Sequence, residues 1–141
     1  MPYDDVQKFS EAAVSIARLL IEHPGKYFLR AVISGFFIVV AMIFSNVVGN
    51  TFQSTDPAWG KLLGGIVFAI AVLLIVFIGA ELFTGNNLVM TIGGLKKTVT
   101  WGQVAKLWIV CWLRNLVGSV IAAGIFTMTG IPGSGDIGAF F

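Results

Sequence analysis

The sequence predicts an all-α, multi-pass membrane protein whose second crossing is discontinuous, with the content of one half of a 3+3 inverted repeat. Three observations carry this. Charged residues make up only 11% of the chain, where about 25% is usual in soluble domains. No Asp, Glu, Lys or Arg lies between Arg30 and Asp56, between Lys61 and Glu81, between Glu81 and Lys96, or between Arg114 and Asp136, and a crossing needs roughly 20 predominantly apolar residues. Finally, the run VFIGAELFTGNNLVM, Val76 to Met90, sets a carboxylate, a threonine and two asparagines among apolar side chains, bracketed by Gly79 and Gly85. Broken helices of this kind meet near the midplane of transporters built from inverted halves.

Residues 1–30 read as an amphipathic amino-terminal helix and a cytoplasmic lead-in. Ser10 is placed to cap the helix and Phe9 to staple it. Ala13, Ile16, Ala17 and Leu20 recur at helical spacing before Pro24 and Gly25 end it. Two roles stay open: lying along a membrane surface beside Lys8, Arg18 and Lys26, or covering a neighbouring helix. No cleavable leader is expected, because the first strongly apolar run begins only after about thirty residues. Cys111 is the only cysteine, so an intrachain disulfide framework or a thiolate metal cluster is not expected.

Residues 31–141 are read as the transmembrane region. The first crossing takes 31–50, entered from Lys26 and Arg30. The polar connection NTFQSTDPAWGK follows, with Pro57 and Gly60 as turn formers and Trp59 as an interfacial anchor. The second crossing takes 62–80, is broken at 81–85 and resumes at 86–94. From Leu62 to Gly94 a straight helix would measure about fifty ångströms, too long for a hydrocarbon core about 30 Å thick. The third crossing takes 104–127, with Trp101 and Trp108 near an interface, and leads into a Gly-rich tail. Gly35, Gly64, Gly118 and Ala122 permit close helix packing.

Basic residues decide how often the long middle run crosses. One broken crossing puts Lys8, Arg18, Lys26, Arg30, Lys96, Lys97 and Lys106 on one side, with Lys61 alone opposite. Two full crossings would destroy that bias, so the positive-inside rule favours one broken crossing and a cytoplasmic amino terminus. Three crossings leave the chain ends on opposite sides, and further chain is expected after the GAFF end.

Glu81 is the costly residue, about 2.5 to 3.5 kcal/mol on insertion scales at a helix centre. It either hydrogen-bonds backbone N–H groups freed at the break or takes part in permeation. Thr84, Asn86 and Asn87 are suited to satisfy the other freed groups, with Gly85 allowing the turn. Leu82 and Phe83, bulky and apolar beside a cavity, can form a constriction, and the Thr84 hydroxyl can offer one hydrogen bond to a passing solute.

GAELFTGNNLVM, followed by TWGQVAKLW and RNLVGS, resembles the first half of a member of the formate/nitrite transporter family, whose signature is G-x-[ED]-L-F-T. The resemblance covers nearly all of these residues and about half of a usual member. It implies an aquaporin-like helical layout in the inner membrane of a prokaryote, a homopentamer, and one narrow anion pore in each protomer. Carried onto this chain, it makes Leu82 and Thr84, with Phe83 between them, pore residues, and Phe68 and Val72 apolar pore lining, with Phe68 a candidate outer constriction. Phe68 alone would be ordinary core. Asn115 and Gly118 match a segment usually read GNLVG, in which Arg114 replaces the first glycine. That arginine either snorkels or pairs with a carboxylate at a protomer contact, or supplies positive potential near the anion route. The pore histidine belongs to the family's second half; His23 reads as a surface residue.

No nucleotide-binding loop, metal cluster or nucleophile beside a base stands in the sequence, so no enzyme, cofactor or nucleic-acid partner is expected. The expected partners are membrane lipid and a small monovalent anion such as formate or nitrite, with or without a proton. Hydrosulfide or lactate permeation, a neutral-solute pore and a non-conducting assembly subunit are the alternatives.

Overall fold

The computed structural model describes residues 3–52 and 55–131; the Gly-rich tail expected beyond them lies outside the described residues. Five α-helices follow in order: α1 (Tyr3–Glu22), α2 (Pro24–Thr51), α3 (Pro57–Ile78), α4 (Phe83–Leu95) and α5 (Trp101–Met128). Of these, α2, α3 and α5 are long and apolar enough to cross a membrane.

Cross-helix pairs fix the directions. Ser45 Oγ donates to the Gly64 carbonyl at 2.8 Å and Gly49 lies against Gly60, so α2 and α3 run antiparallel. Arg114 reaches Pro24, Asn115 reaches Ala31 and Ser119 reaches Gly35, so α2 and α5 run parallel. Phe83 pairs with Asn115 and Asn86 with Cys111, which sets α4 antiparallel to α5. Helices α3 and α4 therefore run the same way, as one interrupted crossing between two crossings of the opposite sense.

Local chemistry explains the ends. Asp56 caps α3 by accepting from the Ala58 and Trp59 amides, with Pro57 in the first turn, where its missing N–H costs nothing. Thr100 and Gln103 form a reciprocal capping box at the start of α5. α3 ends at Gly79, φ 68° and ψ 36°, a left-handed cap that only glycine adopts without a Cβ penalty. The Ala80 amide closes that cap on the Ile75 carbonyl at 3.0 Å.

Several boundaries differ from the sequence reading. α1 begins at Tyr3 rather than near Ser10, and Ser10 is buried mid-helix, where its hydroxyl meets Thr98 Oγ1 at 2.9 Å. Asp4 and Asp5 occupy the first turn instead, where negative charge suits the helix dipole. α2 starts at Pro24, seven residues before the apolar run, because proline suits a first turn. The interruption spans 79–82 rather than 81–85, so Phe83, Thr84 and Gly85 form the first turn of α4. α3 begins at Pro57 rather than 62, and α5 spans 101–128 rather than 104–127.

The core sits at the end of the bundle where α1 lies against α4 and the start of α5. Ala13, Ala17, Tyr27, Ala31, Met90, Val99, Val104, Leu107 and Cys111 form it. α1 thus covers a neighbouring helix, with Ala13 against Gly93. Most of α3 and the later part of α5 keep exposed apolar side chains, among them Ile70, Leu73, Phe77, Val120 and Ile125.

Candidate functional site: an interrupted crossing and its brace

Residues 79–82 leave helical geometry inside an apolar chain, and free backbone groups at such depth must find partners within the protein. Most of that task falls to one side chain of α5. Asn115 Oδ1 accepts from the Phe83 amide at 2.9 Å, while its Nδ2 donates to the Glu81 carbonyl at 3.0 Å and to the Ala31 carbonyl at 2.8 Å. A single amide therefore ties the last extended residues, the first turn of α4 and the second turn of α2. The Glu81 amide donates to the Arg30 carbonyl at 3.4 Å, and the Cys111 thiol donates to the Glu81 carbonyl at 3.5 Å.

Asn115 can reach this far because α2 and α5 touch backbone to backbone. A Cβ at Gly35 would collide with the Asn115 carbonyl, and one at Gly118 with the Val32 carbonyl. Each glycine thus lies directly on the backbone of the opposite helix, in the manner of small-residue contacts between membrane helices.

The expected helix-break partners act differently. Asn86, buried in α4, donates through Nδ2 to the Tyr27 hydroxyl at 3.3 Å and to Cys111 Sγ at 3.4 Å, and so braces the helix rather than capping it. Asn87 Oδ1 is buried without a hydrogen-bond partner among the described residues, while the Asn87 carbonyl accepts from Thr91 Oγ1 at 2.6 Å. The Glu81 carboxylate lies 3.9 Å from an Arg30 guanidinium nitrogen, so its partner is a charge on α2 instead of the freed amides. Local amides were the nearest partners in sequence; helix packing brings α2 and α5 closer.

The expected pore side chains fall into two groups. Leu82 and Phe83 are half-buried, and Thr84 and Gly85 are exposed in the first turn of α4. Phe68, exposed, and Val72, half-buried, share one face of α3 at i and i+4, with Phe68 about 15 Å of helix from its broken end. The start of α4 is also an electropositive pole, because the first N–H groups of a helix lack partners within it. Leu82, at the N-cap position, supplies no side-chain oxygen to cover it.

Arg114 meets no carboxylate among the described residues. It donates to the Pro24 carbonyl at 3.5 Å and lies over the rings of Tyr27 and Phe28, 5.2 and 5.5 Å from their centroids. His23 is exposed at the α1–α2 junction. Sequence reasoning missed Tyr27, and it read Arg30 only as a topological charge. The available signal was the pair Cys111 and Asn115, polar groups at i and i+4 on a largely apolar helix, which share one face and need a partner there.

Residues 4–141 match the family model described as formate/nitrite transporter. The nitrite transporter NirC of Salmonella typhimurium is 32% identical over 127 residues, 90% of this chain and 46% of that protein. The formate channel FocA of Escherichia coli is 36% identical over 110 residues, 77% of this chain and 38% of that protein. A solved FNT family ion channel is similar at a TM-score of 0.83 and 32% identity, over 92% of this chain and 51% of that one. The chain thus spans about half the length of the curated relatives it matches.

Proposed function

This chain belongs to the formate/nitrite transporter family, and from that premise we propose that the protein conducts small monovalent anions, formate or nitrite, across the inner membrane of a prokaryote. The observation that carries the reading is the start of α4: a helix amino terminus that gets no oxygen from its own N-cap side chain, its Phe83 amide held from α5 by Asn115, with the Thr84 hydroxyl exposed in the first turn and Leu82 and Phe83 flanking it. Such a terminus attracts negative charge, and a hydroxyl at its edge can replace one hydrogen bond of the solute's water shell. Leu82 and Phe68 restrict the route and keep a continuous water column out. Stripping water from a charge is prohibitive without compensation, so a proton or a facing cationic group accompanies the anion. The relatives named for nitrite and formate support this substrate class.

The finer assignments belong to the same proposal. The amino terminus lies in the cytoplasm, supported by the basic bias around Lys26 and Lys96, and the protein assembles as a pentamer, as the family resemblance implies. Native mass of the full-length protein in detergent tests the assembly; a dominant monomer or tetramer refutes the pentamer.

Flux into proteoliposomes carrying the full-length protein tests the function. Nitrite or formate uptake above that of empty vesicles is the expected result. Glycerol or water flux without anion flux would replace this reading with a neutral-solute pore, and no flux from correctly assembled protein would leave a non-conducting subunit.

A further inference from the structure

Arg114 is a guanidinium in the middle of a membrane-crossing helix, and nothing in the conduction scheme uses it. Its surroundings nevertheless form a connected path. The guanidinium donates to the Pro24 carbonyl and covers the Tyr27 ring. Tyr27 is fully buried, and its hydroxyl accepts from Asn86 Nδ2 at 3.3 Å. Asn86 follows Thr84 by two residues and stands in the first turn of α4. Its same Nδ2 group also meets Cys111 Sγ, three residues before Arg114 on α5. Two helices thus hold one side chain of the α4 amino terminus, and Arg114 pins the tyrosine that forms half of that hold.

We propose that Arg114 is a positioning residue that acts through Tyr27 and Asn86 to set where the first turn of α4, and with it Thr84, stands. The stack over an aromatic face and the hydrogen bond to a carbonyl at the start of α2 are contacts that the flat, permanently charged guanidinium makes together. Without the guanidinium, the α2 amino terminus loses its tie to mid-α5. The Tyr27 hydroxyl is then free to drift from Asn86, leaving the α4 turn held by Cys111 and Asn115 alone. The functional weight of this arrangement rests on Thr84 being the solute-facing hydroxyl; the geometric claim does not.

The test reads position separately from conduction. Thr84→Cys is introduced into the full-length protein, and the modification rate of the new thiol by a small methanethiosulfonate reagent is followed in membranes by peptide mass mapping. Cys111 is fully buried and lies on a different peptide. In this T84C background, R114M and Y27F should each change the labelling rate by about two- to tenfold, the range commanded by one net hydrogen bond. Combining R114M with Y27F should change it no further than the larger single effect, because the two residues share one path. Should R114M fail to insert, R114Q removes the same cation with a polar side chain and carries the same expectation. An unchanged labelling rate in the arginine variant, or single effects that multiply when combined, would overturn the proposal. Absence of anion flux from the unmodified protein would refute the conduction reading and leave the labelling result standing.

Discussion

The Phe83 amide and the Asn115 side chain meet at 2.9 Å across 32 residues of sequence, and through this contact a helix of one crossing is started by a side chain of the next. Helix amino termini are usually capped from the residue just before the first turn. Here Leu82 has nothing to offer, and Asn115 takes over while also holding the Glu81 carbonyl.

Asn115→Ala should therefore strip partners from both sides of the interruption at once. Each buried group left unsatisfied costs about 1 to 3 kcal/mol, and the part-buried setting puts each near the lower figure. Asn115→Asp keeps an acceptor for Phe83 but loses the donor to Glu81 and Ala31, and should also destabilise. Thermal unfolding of the detergent-solubilised protein checks both; an N115A midpoint equal to that of the parent would remove Asn115 as the brace.

Gly35 and Gly118 lie where a methyl group meets backbone rather than a movable side chain. Gly35→Ala should push α2 from α5, costing about 1 to 3 kcal/mol, the usual range for overpacking. It should also lengthen the Asn115 contact with Ala31. Gly25→Ala, with open space around it, is the matched control and should be neutral. Equal stability of G35A and G25A would mean that the crossing is looser than its geometry.

The ion pair at the break is asymmetric: the Arg30 side chain is 38% exposed and that of Glu81 only 10%. Arg30→Gln leaves a carboxylate with little water, whereas Glu81→Gln leaves a guanidinium that can still reach it. R30Q should therefore be the worse variant, approaching the roughly 3 kcal/mol low end for breaking a buried pair. E81Q should retain assembly. Expression and unfolding midpoints of the two in parallel decide it; equal losses would point to the pair acting only through its attraction.

How much of this was legible in the sequence varies by element. The crossings stand out because apolar length and the placement of lysines are local, additive signals. Gly79 was visible as punctuation, and the structure makes it the left-handed end of α3. The interruption was displaced by two or three residues because sequence reasoning looks for capping groups nearby and found Thr84, Asn86 and Asn87. The actual cap, Asn115, became a neighbour of Phe83 only when two glycines let α5 close on α2. Ser10 misled for the same reason: it has the chemistry of an N-cap, but its position on α1 turns it toward Thr98. Arg114 stood out as an anomaly, and only packing could reveal that its partners are aromatic rings and a carbonyl.

The last prediction concerns Thr84 and Leu82, in full-length protein that inserts and assembles normally. Thr84→Val keeps the side-chain volume and deletes the hydroxyl. Thr84 is exposed in the first turn of α4, so the substitution should leave the fold intact and act on the solute alone. If that hydroxyl replaces part of the water shell, T84V should lower anion flux by the equivalent of one net hydrogen bond, about 0.5 to 1.5 kcal/mol or roughly two- to tenfold. Leu82 is half-buried at the N-cap position and offers only bulk. Leu82→Ala widens the passage without adding charge, and should raise leakage and admit larger carboxylates. The two effects have opposite signs, which general damage cannot produce. Initial rates of formate and acetate uptake at matched protein levels measure both. Unchanged rates and selectivity in both variants would take these side chains out of the conduction route, and the interruption would then be a structural joint held by Asn115.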